Sequence, residues 1–373
     1  MAAAAPGSSI RTGGVERGDA WSIFFVASLA LAFLFYVLAL PALRRGGGHL
    51  AVVCVLATVI QLAPLAGPLL LSRDVYSYWA YARIAANHRA DPYTTAPARF
   101  PHDRATRDVA RGWRKATSVY GPAFTATSIA VDRTAASTES VAFVFRALAA
   151  AAAVCATFLA AQVARRKAFA AAFLGWNPLL AVAFAGGGHN DALMLVLILA
   201  ALALSRQRRD VAAGVTWILA GLVKAPALFL LPLHFLRGSR RLWLGGTLGA
   251  LAASVLSTAV FGTTWLGVVF HAGSHQSRYA IPVRLEEAGV PDRVAHLLAL
   301  AALLAGSAWL ARQAYHGRAR LSLGFGLLIL TTPWLLPWYS SWPVALAAVE
   351  EDAAAQVLAL GLAAYLLPSR VPF

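Results

Sequence analysis

The chain has 373 residues, of which 59% are hydrophobic and only 13% charged, with a mean hydropathy of +0.65. Soluble domains carry about 25% charged residues, so this composition excludes a cytosolic enzyme, a disordered chain and a secreted disulfide scaffold, and implies an all-α polytopic membrane protein. The net charge of +16 would suggest a nucleic-acid partner in a soluble protein; in an apolar chain it reads as arginine gathered in loops on one face of a membrane.

In chain order, residues 1–20 are small, polar and Pro/Gly-bearing, and are expected to form a disordered tail. An apolar run from Trp21 to about Leu43 follows, long enough to span a bilayer and without a clear cleavage site, and is read as a retained helix. Further apolar runs cover about 50–72, 118–131, 140–163, 168–185, 190–205, 211–236, 242–261, 293–312, 321–337, 338–349 and 353–368. Together they predict roughly ten to twelve membrane segments in one domain, 21–373. Several are shorter than the roughly 20 residues a straight span needs, and short or broken helices line cavities, where protein or trapped water satisfies the freed backbone groups. Cys54 and Cys155 both lie in apolar runs and read as small buried hydrophobes.

Charge orients the runs. Basic clusters occur at Arg44-Arg45, Arg165-Arg166-Lys167, Arg206 with Arg208-Arg209, Arg237 with Arg240-Arg241, and Arg312 with Arg318 and Arg320. The positive-inside rule places these in the cytoplasm and the loops at about 73–117 and 263–292 outside. The run 211–236 conflicts with a single crossing, because both its ends are basic. Lys224-Ala225-Pro226 at its centre suggests two half-helices dipping toward the outer side; one kinked span is the alternative. The loop 73–117 carries nine Arg/Lys and four Asp, which suits either an anionic substrate such as a lipid phosphate or a charged helix lying on the bilayer.

Sixteen acidic residues are few enough to search individually, and two stand apart. Asp74 follows directly on an apolar run, among Tyr76, Tyr78 and Trp79, where a general base could reach a substrate that is half lipid and half water-soluble; an interfacial pair with Arg73 is the bland reading. Asp191 ends the sequence Gly186-Gly187-Gly188-His189-Asn190-Asp191 between two apolar runs, and a carboxylate at membrane depth is costly. Lys224 lies within an apolar run and must meet an anionic ligand or an acid, Asp191 being the obvious one. Aromatic–proline clusters at Tyr120-Gly121-Pro122, Trp176-Asn177-Pro178 and Pro333-Trp334-Leu335-Leu336-Pro337-Trp338-Tyr339 suit either an interfacial belt or stacking on sugar faces. No nucleotide-binding loop, zinc-protease motif or nucleophile elbow is visible.

These residues, in this order, resemble the GT-C membrane glycosyltransferases, and are most similar to the actinobacterial polyprenol-phosphate-mannose-dependent α-(1→6)-mannosyltransferases. The resemblance runs from about 50 to 349. It rests on Asp74-Val75-Tyr76-Ser77-Tyr78, Asp91-Pro92-Tyr93, Val119-Tyr120-Gly121-Pro122, Trp176-Asn177-Pro178-Leu179, Gly188-His189-Asn190-Asp191, Lys224 and Pro337-Trp338-Tyr339. It implies a GT-C-like helical bundle with a large first outer loop. It also implies transfer of a hexose, mannose first among them, from a polyprenyl-phosphate donor to an extracytoplasmic glycan or glycolipid, with inversion and with Asp74 as base. Tyr76, Tyr78, Tyr93, Tyr120, His189, Asn190, Asp191, Lys224, Arg278, Trp338 and Tyr339 are the implied substrate-binding residues, Lys224 and Arg278 for the phosphate. No cofactor and no metal are expected, and no nucleic-acid partner. A transporter or flippase of lipid-linked glycans is the competing expectation; it would more often show internal repeats, and none is apparent.

Overall fold

The computed structural model describes residues 20–268 and 276–371, so the expected N-terminal tail falls almost wholly outside the described residues. Among the described residues, four helices are long and apolar enough to cross a bilayer: α1 (Ala20–Arg44), α6 (Thr138–Val163), α12 (Arg240–Phe261) and α14 (Asp292–Tyr315). At 1.5 Å per residue they measure roughly 33–39 Å. A further pair reaches that length and apolarity only taken together: α7 (Lys167–Gly175) meets the stretch Pro178–Gly186 at a 52° bend. That stretch is one helical turn, α8 (Pro178–Ala181), followed by a π-helical turn (Val182–Gly186). Five shorter apolar helices accompany these: Leu50–Ala66, which is α2 (Leu50–Leu62) with a 3₁₀ turn, then α10 (Asp210–Val223), α11 (Pro226–Phe235), α15 (Leu321–Thr331) and α17 (Ala353–Leu366). The chain is a polytopic all-α membrane protein. Its interrupted helices outnumber its full-length ones, as the short apolar runs predict.

Burial separates pillar from wall. Over half of the apolar window of α6 is buried, against 17% for α12 and 11% for α14. Leu251, Val255 and Leu256 on α12, and Leu297, Leu298 and Leu304 on α14, are exposed. A continuous apolar face of this kind is tolerated against lipid and penalised in water. Cys155 also lies on an exposed face while Cys54 is buried, so only one of the two cysteines is the buried hydrophobe expected.

The basic turns share one end of the bundle. Ser239 donates to Asp210 at 2.5 Å, Arg237 lies beside Gly317, Arg320 pairs with Asp352, and the Arg166 N–H donates to Glu351 at 2.9 Å. Ser239 and Asp210 stand at the starts of α12 and α10, which therefore begin together and run parallel. Intervening α11 must bring the chain back, and it does: Leu228 packs on Gly221 near the tip, and His234 lies 5.1 Å from Trp217 lower down. The run 211–236 is thus a helical hairpin that enters from the basic end and turns at Lys224–Pro226. A second hairpin follows, which the apolar runs do not announce. α15 leaves the basic end at Arg320, the chain turns through the proline-rich stretch 332–340, and α16 (Ser341–Glu350) returns. The Glu350 carboxylate accepts from the Leu321 and Ser322 N–H groups, so the far end of the return helix caps the first turn of α15.

The run 118–131 is not a membrane segment. Its helix, α5 (Pro122–Thr134), belongs to the opposite end of the bundle, on the first large loop. There its Asp132 accepts from the Trp79 indole at 2.6 Å and from Arg83 at 3.3 Å. Thirteen residues starting at a proline are too few to span and carry Asp132 and Arg133 at the far end. Gly121 sets the approach: its N–H donates to Val223, and a Cβ there would lie 1.9 Å from the Leu222 carbonyl. The first loop is folded, too. α3 (Asp74–Ala86) is clasped by α4 (Arg104–Asp108), whose cap Asp103 binds Arg83 and His88, each at 2.8 Å, and the Ala105 N–H. Burial pushes the Asp103 carboxyl up, but these partners outweigh it and hold the group below its ordinary value.

Candidate active site

The glycine stretch is shaped by its neighbours. The Asn177 side chain caps the turn at Leu179, the π turn follows, and Gly188 then adopts φ +71°, where a Cβ would lie 2.6 Å from Val75. Beneath this turn lies Arg146 of α6, 5% exposed. Its Nε donates to the Ala185 carbonyl at 2.7 Å, and its Nη2 donates to the Pro64 carbonyl. A buried guanidinium thereby ties the π turn to the turn after α2. The outcome is that His189, Asn190 and Asp191 arrive together at the start of α9 (Asp191–Arg206).

Asp191 is fully buried, and each of its carboxylate oxygens lies 2.8 Å from Lys224 Nζ, while the Trp342 indole donates to one of them. The ammonium sits at the tip of the first hairpin, 4.9 Å from the Tyr339 ring and 5.5 Å from that of Trp342. Of the two readings of Lys224, the pair with Asp191 is what the fold forms. The pair neutralises itself, which a lone buried charge could not do.

Asp74 opens α3. Its carboxylate lies 3.5 Å from His189 Nδ1, and the His189 ring stacks on Trp338 with centroids 3.5 Å apart. Burial pushes the Asp74 carboxyl up; His189, then Arg370 and Lys224, more than offset this and hold it below the ordinary carboxylate value. The group is therefore ionised at neutral pH, is one-fifth exposed, and looks into a cleft of about 160 Å³ lined by Tyr78, Tyr120, Asn190, Lys224 and Trp338, among others. The Asn190 side chain is buried in this wall with neither amide atom hydrogen-bonded among the described residues. Both hairpin tips reach the cleft: Lys224–Pro226 of the first, and Thr332, Trp334 and Trp338 of the second.

Most residues singled out in the sequence meet here: Asp74, Tyr78, Tyr120, His189, Asn190, Asp191, Lys224, Trp338 and Tyr339. Three stand elsewhere. Tyr76 is buried but is not part of the cleft lining. Tyr93 donates to or accepts from Thr125 at 3.0 Å and packs on Phe261 in a separate small cluster. Arg278 is exposed over Tyr279, although the neighbouring Ser277 is tied to the second tip through the Pro333 and Leu335 carbonyls. Trp334, in the aromatic–proline cluster of the sequence, also lines the cleft, whereas sequence reading missed Arg146, Trp113, Trp342 and Arg370. Only Arg146 left a usable signal, as a lone arginine inside an apolar run. Outside the cleft, ligand atoms of Glu286, Asp292 and His296 gather within 4.8 Å of one another. They form an exposed junction between α13 (Ile281–Glu287) and α14, where His296 already bonds the Asp292 carbonyl.

A helical membrane bundle whose broken helices converge on an acid-and-aromatic cleft is the build of a multi-pass enzyme. Residues 8–238 match the sequence profile of the α-(1→6)-mannopyranosyltransferase N-terminal domain, and the chain belongs to that family. It is 29% identical over 360 residues to the α-(1→6)-mannopyranosyltransferase A of Mycobacterium tuberculosis, an alignment covering 83% of this chain and 68% of that relative. No solved structure matches. The protein is a membrane glycosyltransferase of a mannosyltransferase family.

Proposed function

We propose that this enzyme transfers mannose from a polyprenyl-phosphate donor to an extracytoplasmic glycan or glycolipid acceptor, with Asp74 as general base. One observation carries the proposal. Asp74 is ionised, partly exposed and set in an aromatic cleft at the end of the bundle opposite the basic turns. The positive-inside rule makes that end extracytoplasmic, where a lipid-linked donor rather than a cytosolic nucleotide sugar is the available activated substrate.

The chemistry follows from the layout. Asp74 takes the proton of the acceptor hydroxyl as the oxygen attacks the anomeric carbon, and the bond to phosphate breaks with its electron pair leaving on the phosphate oxygen. Attack opposite the leaving group inverts a β-linked donor to an α-mannoside. Tyr78, Tyr120 and Tyr339 offer aromatic surface to the sugar ring, and the unpartnered Asn190 amide offers a donor and an acceptor for its hydroxyls. His189 orients Asp74. Lys224 reaches the cleft as one half of its pair with Asp191, while Arg278 is turned onto Tyr279.

The test uses purified enzyme, polyprenyl-phosphate mannose and an α-mannoside acceptor. Asp74→Asn is expected to lower transfer by about 10²- to 10⁴-fold in a protein that still folds, its melting temperature lowered only by the loss of the carboxylate's own stabilisation. Equal transfer by both proteins removes Asp74 as base. Failure of the wild type with every polyprenyl-phosphate sugar in a donor panel overturns the donor assignment.

A further inference from the structure

The charges around the cleft raise a question about the phosphate. Lys224, its most obvious partner, is already matched by both oxygens of Asp191. Arg278 is turned onto Tyr279. One further cation near the site, Arg370, forms no ion pair with a carboxylate among the described residues. Arg370 follows the last apolar helix, in a turn closed by Ser369 N–H to Leu366 and Val371 N–H to Pro368. Buried Leu367 and Val371 pin this turn on either side. Arg370 itself is exposed and holds φ +73°, a conformation non-glycine residues rarely adopt without a reason. Its guanidinium lies 5.8 Å from the ring of Trp338, the ring that stacks on His189, which in turn faces Asp74.

We infer that Arg370 is the residue that binds the phosphate of the lipid-linked donor and holds the product phosphate as it forms. The inference rests on the donor reading above. Arg370 stands over the ring of Trp338, which lines the cleft, is near enough to Asp74 to favour its carboxylate, and is itself exposed. The planar fork of a guanidinium suits two phosphate oxygens. The charge balance also fits. In the ground state the positive charge of Arg370 is shared between ionised Asp74 and a singly charged phosphodiester. As the acceptor proton moves to Asp74, the carboxyl becomes neutral while the departing phosphate gains one negative charge, and the whole field of Arg370 falls on the phosphate. The stabilisation thus grows along the reaction, which is the condition for accelerating it. Lys224, bound to Asp191, has no such freedom.

The experiment compares wild type, Arg370→Gln and Arg370→Lys as full-length protein in detergent. Two probes are used: polyprenyl phosphate and the uncharged polyprenol of the same length. The wild type is expected to bind the phosphate more tightly than the alcohol. Arg370→Gln should lose about tenfold in Kd for the phosphate and nothing for the alcohol, and Arg370→Lys should recover part of the loss. The acid limb of kcat/KM gives a second readout that a merely structural residue would not move. Asp74 is influenced by the His189 ring, by the cations Lys224 and Arg370, and by the phenols of Tyr78, Tyr81, Tyr120 and Tyr339. Removing Arg370 alone withdraws a lowering influence, so the limb should move to higher pH. Unchanged phosphate affinity and an unmoved acid limb in Arg370→Gln overturn the inference alone. A wild type that does not distinguish phosphate from alcohol overturns the donor reading and this inference with it.

Discussion

At the residue scale, the cleft is organised by charges that cancel before any substrate arrives. Asp191 is wholly buried and Lys224 nearly so, and removing one partner of such a pair leaves the other stranded. Lys224→Met is therefore expected to destabilise the fold by about 3–5 kcal/mol. The double variant Asp191→Asn with Lys224→Met should regain most of it, because neither polar end is then an uncompensated ion. Thermal unfolding in detergent checks both, and a neutral Lys224→Met would mean that water reaches the pair. These two residues were legible in the sequence for a simple reason: ions are scarce in an apolar chain, so each one inside an apolar run demands a partner. Asp74 was legible by the same scarcity. Arg370 was not, since an arginine in a polar turn after the last helix looks like any other, and only the fold shows that the turn lies against Trp338.

At the element scale, the defining units are the two hairpins. The first was readable because its ends are both basic and its centre holds Lys224-Ala225-Pro226. The second was not. Its tip, from Thr332 to Ser340, is apolar and aromatic, so the runs 321–337 and 338–349 read as successive segments with no charge to mark which way each travels. What reveals the return is Glu350 reaching the start of α15. The run 118–131 misled in the opposite sense: apolar residues preceding Asp132 looked like a span, yet they pack against α3. The hairpin geometry predicts labelling. Single cysteines replacing Arg209 and Gly238 should react with a membrane-impermeant reagent from the same side of sealed vesicles, because α10 and α12 begin together. Reaction from opposite sides would mean a single crossing by residues 211–236.

At the scale of the whole molecule, acidity tests the loop and the cleft together. Asp103 and Asp74 are both held below the ordinary carboxylate value, near 3.9 for aspartate. A carboxylate whose pKa is depressed by folding contributes stability above its unfolded pKa and loses it as pH falls through its folded pKa. Acidification from pH 7.5 to 5 should therefore leave intact both the protease resistance of the first loop around Arg99–Arg114 and the activity limb set by Asp74; loss is expected only below about pH 4. Limited proteolysis and kcat/KM across that range provide the check, and a loss already complete at pH 5 would show that Arg83, His88 and Ala105 do not hold Asp103 as described.

The hairpins have one more consequence. Neither tip goes past the cleft, and the space between the tips and the basic end is filled by side chains such as Leu230, Phe325, Ile329 and Trp342, all buried. The cleft is a cup with a dry floor. A sugar ring that enters the cleft meets these packed side chains beneath it and must leave by the mouth through which it came.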